Sequence, residues 1–204
     1  IQDHTAYSSI RDIGTQAIDL AIIMTPAKTV PDIIEACGEQ GVKTAIIISS
    51  GFSEIGPQGA KLEKKVLANA RRFGLRILGP NSLGIMHPRT SLNATFTTGS
   101  AKPGNLALVS QSGALCSAIL DWAYPNDVGF STILSIGTSA DLDFGEILDY
   151  LVSDPQTHGI LLYIEGIHQA RSFMSGLRAA ARIKPVIVIK TGRHENVLNA
   201  IMSH

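Results

Sequence analysis

The chain is short of cysteine, of net charge and of long apolar runs, and each shortage excludes something. Two cysteines in 204 residues, Cys37 and Cys116, both fall in apolar helical patterns, so no disulfide framework is written into the sequence. A reduced, cytoplasmic setting is the expectation. Seventeen basic residues balance seventeen acidic ones. Neither nucleic acid nor an anionic membrane surface is expected as the main partner. The longest apolar runs are of strand length, which excludes a transmembrane helix. The opening "IQDHTAYSS" has neither an initiating Met nor an apolar core, so it is no signal peptide, and the sequence reads as starting inside a longer protein. A chain of this size buries a real core without disulfide or metal, and no metal site is expected. The single tryptophan, Trp122, lies on a helical pattern and is expected in that core.

What the chain does have is a rhythm. Short runs rich in Val, Ile and Leu recur at 20–24, 44–49, 75–78, 106–109, 132–136, 160–164 and 186–190. Continuous rather than alternating apolar runs mark strands covered on both faces. Longer amphipathic stretches separate them. Thr29-Val-Pro-Asp32 opens one helix with a capping Thr, a Pro in the first turn and an Asp near the positive end of the dipole, and Gly41 can close it. Leu62, Val66, Leu67 and Ala70 stripe a second helix, which Gly74 ends, and Leu115, Ile119, Leu120 and Ala123 stripe a third. Strand–helix alternation of this kind predicts an α/β fold with parallel sheets. The polar stretch 91–105, "SLNATFTTGSAKPGN", breaks the rhythm and reads as a linker between two units, residues 1–98 and 104–204.

Ligands of such sheets gather beyond the C-terminal strand ends. The residues there are Thr25-Pro26-Ala27, Ser50-Gly51-Phe52, Gly79-Pro80-Asn81, Ser110 to Ala114, Gly137-Thr138-Ser139, Glu165-Gly166 and Thr191-Gly192-Arg193: a rim of small residues with one carboxylate and one Arg. Within it, "LALVSQSGAL" (106–115) stops an apolar strand with Ser110-Gln111-Ser112-Gly113 before a helix begins. Three uses fit that turn. A nucleophile elbow wants G-x-S-x-G, and the frame around Ser112 lacks both outer glycines; Asp141, Asp143 and His168 are available as partners, but no spacing selects them. A phosphate cradle needs free helix N–H groups and a glycine that lets an anion approach. A plain helix cap needs only Ser112. Glu165 ends "ILLYIE", where it is either a solvated strand end or a paired, working carboxylate. Gly79-Pro80-Asn81 suits a tight turn. His204, taken alone, is a loop histidine.

Together the segments "TPAKTVPDIIEACGEQGVKTAIIISSGFSEIG", "RILGPNSLGIMHP", "GNLALVSQSGALCSAILDWA", "DLDFGEILDYLVSDPQTHGILLYIEGI" and "KPVIVIKTGR" resemble the NDP-forming acyl-CoA synthetases, relatives of the succinyl-CoA synthetase α-subunit. The resemblance covers nearly the whole chain. "NATF" and "LDWA" also resemble a bacterial branch, the Pat-type protein lysine acetyltransferases, in which a synthetase-like region is fused to a GNAT domain.

The resemblance implies a truncated Rossmann-like CoA-binding unit followed by a flavodoxin-like ligase unit. It implies interconversion of acyl-CoA, phosphate and NDP with carboxylic acid, CoA and NTP through a phosphohistidine. Thr25, Pro26, Ser50, Gly51, Asn81 and Ser82 would be the CoA-side residues, and Ser112, Gly113 and Ala114 the phosphate site. His204 would carry the phosphoryl group, since Arg193 and Ser203-His204 keep the family spacing, and Glu165 would orient its ring. Val197, Leu198, Ile201 and Met202 are bulkier than the small residues the family places there. CoA or acyl-CoA and phosphate are the implied ligands, with ATP or ADP and Mg handled only by an ATP-grasp domain or subunit. A GNAT domain is the alternative partner, with CoA sensing rather than ligation as the role, and an oligomer is expected. The family's opening strand and Gly-rich turn would precede Ile1, so these residues alone are expected to bind CoA weakly and to be inactive.

Overall fold

The computed structural model describes residues 5–14 and 16–191. Gly192, Arg193, Ser203 and His204 therefore lie outside the described residues. Among the described residues two sheets form, and they divide the chain differently from the expected linker.

The first sheet is parallel, in the order β1 (Leu20–Ile23), β2 (Thr44–Ile47), β3 (Arg76–Leu78). Helices α1 (Val30–Glu39) and α2 (Pro57–Phe73) connect these strands. Pro31 in the first turn and Gly74, left-handed at φ 66°, bound the helices as the sequence indicates. Thr29 does not cap α1 through its side chain; its hydroxyl turns back to Thr25 Oγ1 (2.9 Å) and the Pro26 carbonyl (2.8 Å). Successive strand residues face opposite ways. Ala45, Ile47 and Ile77 thus pack on Val30, Ile34, Cys37, Val66 and Ala70 of the two helices. Ile46 and Leu78 face the other way, into the core of the second unit. Each fully buried aliphatic side chain of this kind contributes about 1.5–3 kcal/mol of burial free energy.

The chain crosses to the second sheet at residues 79–83. β4 (Gly84–His87) and β5 (Leu92–Thr95) form an antiparallel ribbon, and β4 pairs antiparallel with β7 (Gly129–Ser135). β6 (Lys102–Ser110), β8 (Gly159–Ile164) and β9 (Val186–Lys190) complete the order β5-β4-β7-β6-β8-β9, all parallel from β7 onward. The α/β class with parallel sheets holds, with this ribbon added at one edge. The stretch 91–105 does not separate the sheets: it holds β5 and the start of β6. β5, a four-residue edge strand with exposed Leu92 and Asn93, carries no continuous apolar signal.

α3 (Gly113–Ala123) covers one face, burying Cys116, Leu120 and Ala123 against Leu108, Phe130 and Ile133. Trp122 departs from expectation and is 60% exposed, because it lies about 200° around the helix from Leu120. α4 (Phe144–Ser153) and α5 (Ala170–Ile183) cover the other face, with Leu148, Leu151, Phe173 and Ala180 on Val109, Leu162 and Ile164. None of the helices among the described residues is long and apolar enough to cross a membrane.

Candidate active site

The C-terminal ends of β6, β7 and β8 converge because Ser110 pairs in register with Ser135 on one side and Tyr163 on the other. Ser110 is fully buried, and its hydroxyl ties the turn: it accepts from the Ser112 N–H (3.0 Å) and donates to the Ser112 carbonyl (2.9 Å). Ser112 sits at the N-terminus of α3 in extended conformation, its Oγ accepting from the Leu115 N–H at 3.3 Å. The next two N–H groups, of Gly113 and Ala114, have no acceptor among the described residues. Gly113 is partly exposed and Ala114 exposed, so these donors and the helix dipole face an accessible rim.

Glu165 follows β8 on that rim. Its carboxyl is half-buried, and burial, opposed in part by the Lys190 charge, raises it above the ordinary carboxylate value. Lys190 Nζ donates to the Glu165 carbonyl at 2.9 Å. Gln111 joins this loop to the turn before α3: its Oε1 accepts from the Glu165 N–H (2.7 Å) and the Gly166 N–H (3.0 Å). The sequence shows Gln111 only as one residue of the turn, and singles out neither Ser135 nor Lys190. A nearly buried amide directly after an apolar strand was the available signal, since such a group demands partners.

The elbow partners are committed elsewhere. Asp143 caps α4 through the Gly145 and Glu146 N–H groups (2.9 and 3.1 Å), Asp141 accepts from Arg76 Nε (3.0 Å), and His168 is exposed. Neither thiol competes as a nucleophile: burial pushes Cys116 up to about 11, against a hydrogen bond with Ser110, and also raises Cys37. Among the described residues no cluster of three or more His, Cys, Asp or Glu could hold a metal ion.

A second rim lies beyond β1, β2 and β3. Thr25, Pro26, Ser50 and Asn81 are exposed on it. Ser49 Oγ donates to the Thr25 carbonyl (2.5 Å), and Glu54 accepts from the Gly51 and Phe52 N–H groups (2.5 and 3.1 Å). Gly51 has φ 109°, and a Cβ there would stand 3.0 Å from the Ala27 Cβ. Ser82 differs from its expected neighbours. It is 2% exposed, donates to the Ser135 carbonyl and accepts from the Gly84 N–H (2.9 Å), so it clasps the second unit and is closed to ligand.

Two α/β units lie one after the other along the chain, and each matches a known family. Residues 103–204 match the family described as succinyl-CoA ligase like flavodoxin domain, and residues 1–88 match the family described as CoA binding domain. The chain belongs to the succinyl-CoA ligase-like family of the NDP-forming acyl-CoA synthetases. It is 43% identical over 198 residues to an acetate–CoA ligase [ADP-forming] I subunit alpha from Pyrococcus furiosus, covering 97% of this chain and 43% of that one. It is 36% identical over 203 residues to a 4-hydroxybutyrate–CoA ligase [ADP-forming] from Nitrosopumilus maritimus, covering 98% and 29%. Among solved structures, the dinucleotide-forming acetyl-coenzyme A synthetase 1 of Ca. Korarchaeum cryptofilum, in complex with phosphate and ADP, matches with TM-score 0.92 and 38% identity over 100% of this chain and 44% of that chain. The chain thus spans less than half the length of these relatives.

Proposed function

We propose that this chain is the CoA- and phosphate-handling part of an ADP-forming acyl-CoA synthetase. The supporting observation is the pairing, at one sheet end, of two acceptor-free N–H groups on α3 with the half-buried Glu165 carboxylate. The rim beyond β1, β2 and β3, with Thr25, Pro26, Ser50, Gly51 and Asn81, takes the CoA side of an acyl-CoA. The Gly113 and Ala114 N–H groups hold phosphate, and the dipole of an eleven-residue helix favours its charge. A phosphate oxygen attacks the thioester carbonyl, the CoA thiolate leaves, and an acyl phosphate forms. A ring nitrogen of His204 then attacks phosphorus and the carboxylate leaves. Glu165, accepting a hydrogen bond from the other ring N–H, holds the tautomer whose free nitrogen is the nucleophile. The phosphoryl group would pass to ADP at an ATP-grasp domain or subunit outside these residues, where Mg would supply charge neutralisation.

The ADP-forming ligase names of the relatives favour this reading over a CoA-sensing region of a GNAT acetyltransferase. The test is to incubate the intact enzyme with ATP labelled at the γ-phosphate. Acid-labile, base-stable label is expected on the protein and is absent from His204→Ala. Label that persists in His204→Ala, or none in the wild type, overturns the proposal.

A further inference from the structure

We infer that Gln111 is a positioning residue that holds Glu165 in register with the Ser112–Ala114 turn. The inference rests on the phosphohistidine reading above and assigns a role to a side chain that reading does not use.

Gln111 is 9% exposed and lies between the end of β6 and the cap of α3. Its backbone N–H donates to the Tyr163 carbonyl at 3.2 Å, while its side-chain oxygen accepts from the Glu165 and Gly166 N–H groups at 2.7 and 3.0 Å. All three bonds reach one element, the end of β8. Because both side-chain partners are donors, the amide is oriented unambiguously, oxygen toward the loop. The residue after it, Ser112, starts the helix whose N–H groups face the rim. One residue therefore ties the carboxylate's backbone to the anion donors' backbone. An aliphatic side chain of similar size would fill the space but leave two partly buried N–H groups without acceptors. Among the described residues, Lys190 is the charged group acting on the Glu165 carboxyl.

The experiment measures phosphohistidine formation in the intact enzyme from its two sides: from acyl-CoA with labelled inorganic phosphate, and from labelled ATP. Gln111→Met is expected to slow formation from acyl-CoA and phosphate about 10- to 100-fold, as small misplacements of a catalytic group do. ATP-driven labelling should change less than about threefold, and the KM for phosphate should stay within about threefold, the loss falling on kcat. Equal loss from both sides marks a merely structural residue and overturns the inference, as does no loss from either. If Gln111→Met does not fold, Gln111→Glu, which keeps the acceptor, replaces it. Because it keeps an acceptor for the Glu165 and Gly166 N–H groups, Gln111→Glu should form phosphohistidine from acyl-CoA and phosphate within about tenfold of wild type, and a larger loss overturns the inference. Failure of ATP to label wild-type His204 is a different result. It removes the phosphohistidine reading, and this inference with it.

Discussion

Arg76 Nη2 meets both carboxylate oxygens of Glu146, at 3.0 and 2.9 Å, across the boundary between the two sheets. Arg76 Nε also reaches Asp141 (3.0 Å), whose same oxygen accepts the Ile77 N–H (2.8 Å). These charges hold the Arg76 guanidinium firmly protonated. Arg76 and Glu146 remain nearly half exposed, so solvent screens the pair. Arg76→Ala is expected to lower unfolding stability by about 1 kcal/mol, with the difference from wild type shrinking in high salt. Urea melts at two salt concentrations check this; an unchanged midpoint would mean that the apolar contacts of Ile46 and Leu78 join the units unaided.

Gly137 marks the tightest approach at the same boundary. It has φ 54°, and a Cβ there would lie 2.0 Å from the Pro80 carbonyl oxygen, a backbone atom that cannot step aside. Thr138 N–H to Pro80 O (2.9 Å) and Ala140 N–H to Gly79 O (3.1 Å) fix the two loops against each other. Gly137→Ala should cost about 2–3 kcal/mol, seen as a lowered midpoint in thermal or urea unfolding.

Gly113 behaves oppositely. A Cβ there would make an ordinary contact with the Leu83 Cβ at 3.4 Å. Gly113→Ala should therefore fold as well as wild type. Gly113→Val adds branches at the accessible N–H groups and should raise the KM for phosphate about tenfold or more with little change in melting temperature. Unaltered phosphate kinetics in the Val variant would remove Gly113 from the phosphate site.

Burial raises the Glu165 carboxyl above its ordinary value of 4.5, against the pull of Lys190. In the proposed mechanism the ionised carboxylate is the stronger acceptor for the histidine N–H, so phosphoryl transfer from acyl-CoA and phosphate should fall off on the acid side at a pH above that ordinary value. Glu165→Gln should slow the reaction at neutral pH by about 10²-fold or more and erase that limb. For stability the sign reverses: a raised carboxylate favours folding while protonated, and that contribution is lost as pH rises through its folded value.

Asp154 works the other way. Burial, the largest single effect, pushes its carboxyl up, but hydrogen bonds from Thr157 Oγ1 (2.6 Å) and the Gln156 N–H (3.0 Å), with the charges of Lys184 and His87, hold it below 3.8 overall. Its stabilisation is full above the unfolded value and is lost as pH falls through the depressed folded value. Asp154→Asn should be less stable than wild type at neutral pH, and the gap should narrow toward the acid end of a urea-midpoint series.

The sequence alone determined the strands that must be buried and the helices that cover them. Runs such as "LALV" and "ILLYI" stay out of water, and the stripe of α2 and the capping Ser112 are local, periodic signals; "VIVIK" carries the same apolar signal but forms the edge strand β9, where Ile187, Val188 and Ile189 are exposed. These signals place Ser112, Gly113 and Glu165 at strand ends. Only the tertiary structure decided which strand ends meet. Gln111 and Glu165 lie 54 residues apart, and Arg76 and Glu146 are separated by 70, so no local period announces either bond. The β4–β5 ribbon has no local signal for a related reason: its four-residue strands take their stability from neighbouring strands rather than from an apolar run of their own. Ser82 likewise reads as a rim residue beside Asn81, until the clasp on Ser135 turns it inward. Burial is written into composition and period, whereas pairing is settled by which distant backbone groups need a partner when the sheets close.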